Sequence, residues 1–398
     1  MISGIELEAR IKVLLTKGVR GNLIPKGLAR ILIWKDGELP SASPKFPTEL
    51  SADLLDYGYT LLRLCLLLRE EQGDTELAIN GFERSAEAIE AVIRRGDPTD
   101  PERGFHTVVA ACAYHLGHFS ARSYCLLPFG VDLNLAPSEY ALSCLLRRSL
   151  DDLSAYCREW LQSEVNSDGA VAARLADSND DTDVETALDN AITSGLLRAL
   201  SIFDLSLTTG SETGVEETIR LLQECEDMAL NFNMVTAWWI CKLAKNLLAD
   251  LWTYSLHRQL PPEINGDGAE AWPELRELFI ARLRTKKRVS EIELWPSQIT
   301  AAKRTSDVDD DLVVSLPTSA GKTRIAELCI LRALAARQRI VYVTPLRALS
   351  AQVERDLREA FRPLFLRCTA LPELWARTWT PLETETLLSR PLRNSTLH

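Results

Sequence analysis

Asp311-Leu312-Val313-Val314-Ser315-Leu316-Pro317-Thr318-Ser319-Ala320-Gly321-Lys322-Thr323 decides how the last third of this 398-residue chain folds. The apolar run Leu312 to Leu316 predicts a short buried strand. Pro317 to Gly321 are small or turn-forming and predict a loop. From Lys322 through Leu331 the spacing is helical. A loop that enters a helix N-terminus points free backbone N–H groups outward, and the helix dipole adds positive potential there. Gly321 lets the backbone approach an anion without a Cβ in the way. The pattern fits G-x-x-x-x-G-K-[ST], except that Leu316 replaces the first glycine. In that chemistry Lys322 reaches the β and γ phosphates of a nucleoside triphosphate, and Thr323 offers its hydroxyl to Mg²⁺. ATP is the expected ligand.

Two neighbouring segments extend this reading. Upstream stands Leu294-Trp295-Pro296-Ser297-Gln298. Downstream, Ile340-Val341-Tyr342-Val343-Thr344 predicts a second buried strand, which leads into Pro345-Leu346-Arg347-Ala348-Leu349 and then Gln352. With these in place, residues 316–323 resemble motif I of superfamily 2 helicases. They are most similar to the P-T-S-A-G-K-T form of the superkiller-type DExH group. Residues 294–298 resemble that group's adenine-recognition segment. The resemblance implies that Gln298 reads the base, since an amide matches both a donor and an acceptor edge. The resemblance also implies that Pro317, Thr318, Ser319, Ala320, Gly321, Lys322 and Thr323 hold ATP, with Thr323 on Mg²⁺. Residues 345–352 are similar to motif Ia, which implies contacts from Pro345, Arg347 and Gln352 to the sugar–phosphate backbone of DNA or RNA. Long bacterial helicases with helical N-terminal extensions, some of them in anti-phage defence, share this layout.

The resemblance covers about 75 residues and then lapses. Motif II, the acidic D-E-x-H box that holds Mg²⁺ and activates water, is absent from the sequence after residue 352. Residues 365–398 are dense in Leu, Arg, Thr and Pro, with neither strand alternation nor a helical stripe. The family carries a segment like I-A-T-P-E-K-L-D-F-A in this region. One back-translation of it, read a nucleotide later, encodes Ser389 through His398. A frameshift near residue 365 is therefore expected, with a poorly ordered tail as its consequence. The coding DNA checks this: the alternative frame beyond codon 365 is expected to hold a T-P-E-K and a D-E-x-H, and a frame lacking them rules the shift out. On this reading the chain binds ATP and hydrolyses little.

Working outward to the N-terminus, residues 1–258 read as helices. Apolar stripes predict them over 54–68, 74–95, 105–127, 137–164, 185–205 and 216–254. Pro137 and Ser138 look like a start signal, with Ser138 as cap. Small residues at close-packing positions are similar to a tetratricopeptide-type array of hairpins, although no clean repeat period is present. An irregular bundle fits equally. The predicted class is mostly α: a helical domain over 1–260, a linker and short helix over 261–285, an incomplete α/β RecA-like unit over 286–364, and the tail 365–398. The run 177–183 reads as an acidic loop.

Charge is divided unevenly. Residues 1–270 hold 24 Lys and Arg against 41 Asp and Glu, whereas 271–398 hold 21 against 15. The acidic part is a poor grip for phosphodiesters and a fair surface for a protein partner, which gives the alternative of a helical scaffold acting through 1–258. The basic run 282–288 reads first as a solvated helix end. A different P-loop enzyme, such as a kinase, fits the 295–298 and 345–349 segments less well. The nine cysteines form no C-x-x-C pair and read as buried reduced thiols. His106, His115 and His118 read as structural or solvent-facing. No basic-then-apolar leader and no run of 18 apolar residues is present, so a cytoplasmic location with no membrane contact is expected.

Overall fold

The computed structural model describes residues 3–16, 22–33, 45–94, 101–127, 134–163, 169, 181–285, 289–305, 311–316, 321–344, 347–361, 367–370 and 386–391. The chain forms two compact units. Unit 1 comprises Met1–Ser206 and Ser211–Asp250, and unit 2 comprises Leu207–Gly210 and Leu251–His398.

Every element of unit 1 among the described residues is a helix. Its helices are α1 (Gly4–Leu15), α2 (Leu23–Ile33), α3 (Leu50–Glu70), α4 (Thr75–Ile93), α5 (Arg103–Leu116), α6 (Ser120–Leu126), α7 (Pro137–Leu146), α8 (Leu150–Gln162), α9 (Asp181–Thr209), α10 (Glu212–Asn231) and α11 (Val235–Thr253). Successive helices pack on one another, α3 on α4, α4 on α5, and α5 on α6 and α7. α3 and α4 come close because glycines face the partner helix. A Cβ on Gly81 would sit 2.2 Å from the Cys65 sulfur.

Local chemistry starts and stops these helices. The Asp74 carboxylate accepts from the Leu77 N–H at 3.0 Å and caps α4. At α7 the cap is Ala136, not the expected Ser138: Pro137 takes the first helical position, and Glu139 accepts the Ala136 N–H at 3.0 Å. Three expected long helices are each broken in two. The breaks fall at His118, Arg148 and Asn233, whose φ angles are +64°, +59° and +55°. At each one the next N–H reaches back to a carbonyl in the last turn: Phe119 to Tyr114, Ser149 to Cys144 and Met234 to Ala229, at 2.8–2.9 Å. These are left-handed helix stops built without glycine. Asp181 to Asp183, expected in an acidic loop, begin α9, where carboxylates favour the helix N-terminus. Residues 177–180 lie outside the described residues.

α9 is long and apolar enough over Val184–Thr209 to cross a membrane by length and composition. Its Ile192, Leu196, Leu197, Leu200 and Phe203 are buried within unit 1. The histidines of the α5 region are structural. His106 Nδ1 lies 2.7 Å from the Tyr59 hydroxyl, and His115 is buried 3.5 Å from Asp250. Six of the described cysteines are buried as expected, but Cys125 and Cys329 are exposed.

Unit 2 contains α12 (Leu256–Gln259), α13 (Trp272–Arg284), α14 (Pro296–Arg304), α15 (Lys322–Ala335), β1 (Ile340–Thr344), α16 (Arg347–Phe361), β2 (Arg367–Ala370) and β3 (Thr386–Pro391). The three strands form a parallel sheet in the order β1-β3-β2, with Ile340 opposite Leu387 and Arg367 opposite Thr386. Residues of the tail expected to be poorly ordered thus supply two of the strands. Pairing with β1 satisfies backbone groups that an open edge would leave unmet.

The segment 261–285, expected as a linker and short helix, contributes α13 to the core of this unit. Trp272, Phe279, Ile280 and Leu283 are buried with Leu294, Leu328, Leu331, Leu357 and Phe361 in the core of this unit. The Trp272 indole donates to Pro261 O at 2.8 Å, and Arg332 donates to Asp267 O at 2.7 Å. Gly268, at φ +86°, has so little room that a Cβ would lie 2.4 Å from the Ala335 carbonyl carbon. Arg282, read as part of a solvated basic end, donates to the carbonyl and carboxylate of Glu359 on α16 at 3.0 and 2.9 Å.

Candidate nucleotide-phosphate site

A short antiparallel contact sets the entry to the site. The Leu256 N–H donates to Ile292 O at 2.9 Å and the Leu294 N–H to Tyr254 O at 2.8 Å. This buries Leu294 and delivers Trp295 to the start of α14, where Pro296 fits the first turn. Gln298 then falls on the inner face and is 5% exposed. Its Oε1 accepts from the Trp295 N–H at 2.8 Å, and its Nε2 donates to Gly321 O at 3.1 Å.

Gly321 is the N-cap of α15 and adopts φ +77°, a conformation that suits glycine. The helix that follows turns Ile325, Leu328, Leu331 and Leu334 into the core and leaves Lys322 and Thr323 exposed in its first turn. First-turn N–H groups have no partner within their own helix. The end of α15 therefore combines an ammonium, a hydroxyl and outward backbone donors, the chemistry that suits a phosphate and its cation.

Sequence reasoning missed the groups that hold α15 in place. Arg324 is nearly buried and pairs with Glu291 and Glu327, and its guanidinium carbon lies 5.8 Å from the centroid of the Phe279 ring. Burial pulls the Arg324 guanidinium below its ordinary pKa, while Glu327 opposes that shift. The readable signal was the Arg–Glu pair at i,i+3 directly after Gly-Lys-Thr.

Two expected features differ. Among the described residues, 311–316 pair with no strand, and Val313 is 92% exposed. Among the described residues, β1 gives its ladder to β3 instead. β1 itself is only half-buried, with Val341 55% exposed. A cleft of about 500 Å³ opens beside Lys322, lined by Leu312, Val314, Ile325, Cys329 and Tyr342 among others. Pro317, Thr318, Ser319, Ala320 and Pro345 lie outside the described residues. Arg347 opens α16, with its side chain outside the description, and Gln352 is exposed one turn further on. The Thr344 and Ser350 hydroxyls are buried and hydrogen-bonded, which ties the end of β1 to α16.

Comparison with known proteins places this geometry in a family context. Residues 295–378 match the DEAD/DEAH box helicase family. The match begins at Trp295, takes in Gln298 and the Gly321-Lys322-Thr323 turn, and continues past residue 365, where the resemblance was expected to lapse. The chain is similar to the Hachiman protein HamB of Bacillus cereus, with 22% identity over 344 residues, 85% of this chain and 28% of that protein. That alignment is long enough to enter the helical unit as well as the helicase segment. It is also similar to the DExH-box ATP-dependent RNA helicase DExH15 of Arabidopsis thaliana, 52% identical over 50 residues, 13% of this chain and 4% of that protein. The human exosome RNA helicase MTR4 is 42% identical over 60 residues, 15% of this chain and 6% of that protein. The chain thus spans less than a third of the length of each of these relatives.

Proposed function

We propose that unit 2 binds Mg²⁺·ATP at the N-terminus of α15, as the nucleotide-binding part of a nucleic-acid helicase of superkiller type. The observation that carries this is the left-handed Gly321 at the helix cap, with Lys322 and Thr323 exposed in the first turn. Lys322 neutralises phosphate charge, the Thr323 hydroxyl completes the shell of the cation, and the α15 N–H groups cradle phosphate oxygens. The bound nucleotide supplies the phosphoanhydride that such enzymes cleave. Pro345, Arg347 and Gln352 are the residues proposed to contact a DNA or RNA backbone.

A nucleotide titration of the full chain tests the site. Hydrogen bonds to charged groups contribute about 1.5–3 kcal/mol. Lys322→Ala is therefore expected to weaken ATP binding by about tenfold to somewhat over a hundredfold. Equal affinity in the two proteins would remove the phosphate site. Loss of single-strand binding in Arg347→Ala, with ATP affinity kept, would support the strand contact.

A further inference from the structure

We propose that Cys225 and Cys241 form a modification site, a dithiol that a hydroperoxide converts to a disulfide across the α10–α11 hairpin. The site lies wholly in unit 1.

The turn between the two helices is short, with α10 ending at Asn231 and α11 beginning at Val235. Cys225 stands six residues before the first of these, and Cys241 six residues after the second. Equal spacing from a tight turn puts two residues at one level of an antiparallel helix pair. Polar contacts beside the cysteines fix the same level. Lys245 Nζ donates to Gln223 Oε1 at 2.6 Å and to Glu226 Oε2 at 2.5 Å, and Lys242 Nζ lies 3.1 Å from Glu226 Oε1. Both cysteines face inward, Cys225 at 7% exposure and Cys241 at 0%. There the thiols meet, and the Cys241 S–H donates to the Cys225 sulfur. A third helix closes round them. A Cβ on Gly195 of α9 would lie 2.5 Å from the Cys225 sulfur, so the glycine leaves the room that this sulfur fills.

The two sulfurs have different tasks. Donation from Cys241 holds the Cys225 thiol below its ordinary pKa against burial, and the Arg198 charge adds to that effect. The same hydrogen bond, together with burial, pushes Cys241 up. Cys225 also reaches the surface, so it is the attacking sulfur and Cys241 the resolving one. The Cys225 thiolate attacks one oxygen of hydrogen peroxide, the O–O bond breaks, and the leaving oxygen takes up a proton and departs as water. Cys225 is then a sulfenic acid. The Cys241 sulfur attacks the Cys225 sulfur, its S–H proton passes to the departing hydroxyl, and a second water leaves. Two electrons pass from sulfur to oxygen, and one peroxide is consumed for each disulfide. By contrast, burial alone pushes Cys65 and Cys112 up to about 12, where a thiol is inert.

The test treats the native full chain with hydrogen peroxide and then blocks the remaining thiols with N-ethylmaleimide in denaturant. Trypsin releases Leu221–Lys242, which carries these two cysteines and no other. This peptide is expected to be unlabelled and two hydrogens lighter, and to take label on both cysteines once dithiothreitol has acted. The oxidised chain is expected to unfold at higher urea than the reduced one, because a cross-link restricts the unfolded chain. Cys241→Ser is expected to stop at a Cys225 sulfenic acid that dimedone traps, and Cys225→Ser to give neither product. If a serine variant does not fold, the wild-type peptide map decides alone. A peptide that stays labelled on both cysteines at peroxide doses that oxidise the exposed Cys125 would overturn the proposal. Sulfinic acid at Cys225 without a cross-link would do the same, as would a link that forms only after urea has unfolded the chain.

Discussion

Asp250→Ala is expected to destabilise unit 1 by about 3–5 kcal/mol, because it leaves buried charge without its partner. Asp250, on α11, is 3% exposed. Its Oδ1 accepts from Arg69 Nη2 at 2.7 Å, at the end of α3, and its Oδ2 lies 3.5 Å from His115 Nε2, at the end of α5. On the other side of the imidazole, Arg148 Nη2 lies 3.4 Å from His115 Nδ1, and the Ser120 hydroxyl lies 3.3 Å from it. A guanidinium only donates, so Nδ1 is the acceptor in the Arg148 contact. One carboxylate thus connects three helices that are far apart in sequence. Burial pushes its pKa up, but the His115 contact and the Arg69 charge outweigh burial and hold it below the usual carboxylate value. A depressed folded pKa gives stability that is present above the unfolded value of about 3.9 and is lost as pH falls through the folded value. Urea unfolding near neutral pH should therefore separate wild type from variant by the full amount. The gap should close at strongly acid pH. A gap below about 1 kcal/mol at neutral pH would reduce the network to an exposed pair.

That contact also marks where the sequence stops being legible. Arg69 and Asp250 are 181 residues apart, and neither has a local feature that names the other. Gly321 was readable because its work is local, at the turn into a helix. His118, Arg148 and Asn233 make left-handed turns too, but their side chains do not advertise it, so three pairs of helices read as three single ones. Strand pairing is another non-local matter. The run 312–316 has strand composition and stays unpaired, while Thr386–Pro391 has poor composition and takes the central place in the sheet. At the site, Gly321, Lys322 and Thr323 follow from the local pattern. The Gln298 amide orientation and the Arg324 anchor depend on packing that brings residues 291, 298 and 321 together.

Phe279→Ala is expected to cost unit 2 about 3–5 kcal/mol, the range for emptying a buried aromatic site. Phe279 is fully buried on α13, and its ring stacks on Phe361 of α16 with centroids 5.7 Å apart and planes 20° apart. Arg324, two residues beyond Lys322, places its guanidinium over the other part of the same neighbourhood. Leu328, Leu331 and Leu357 share the cluster. Removing the ring therefore strips a contact from α15 and one from α16 at once, and the cavity is lined by both. The loss should reach function through α15, whose first turn carries Lys322 and Thr323. Hydrogen exchange of the α15 amides should quicken in Phe279→Ala, and ATP affinity should fall with it. Exposed Leu278, the next residue back, serves as the control: Leu278→Ala should leave both near wild type, within the ±0.5 kcal/mol usual for surface sites. If Phe279→Ala cost less than about 1 kcal/mol, α13 would contribute little to this core, and the phosphate helix would have to draw its support from α14 and β1.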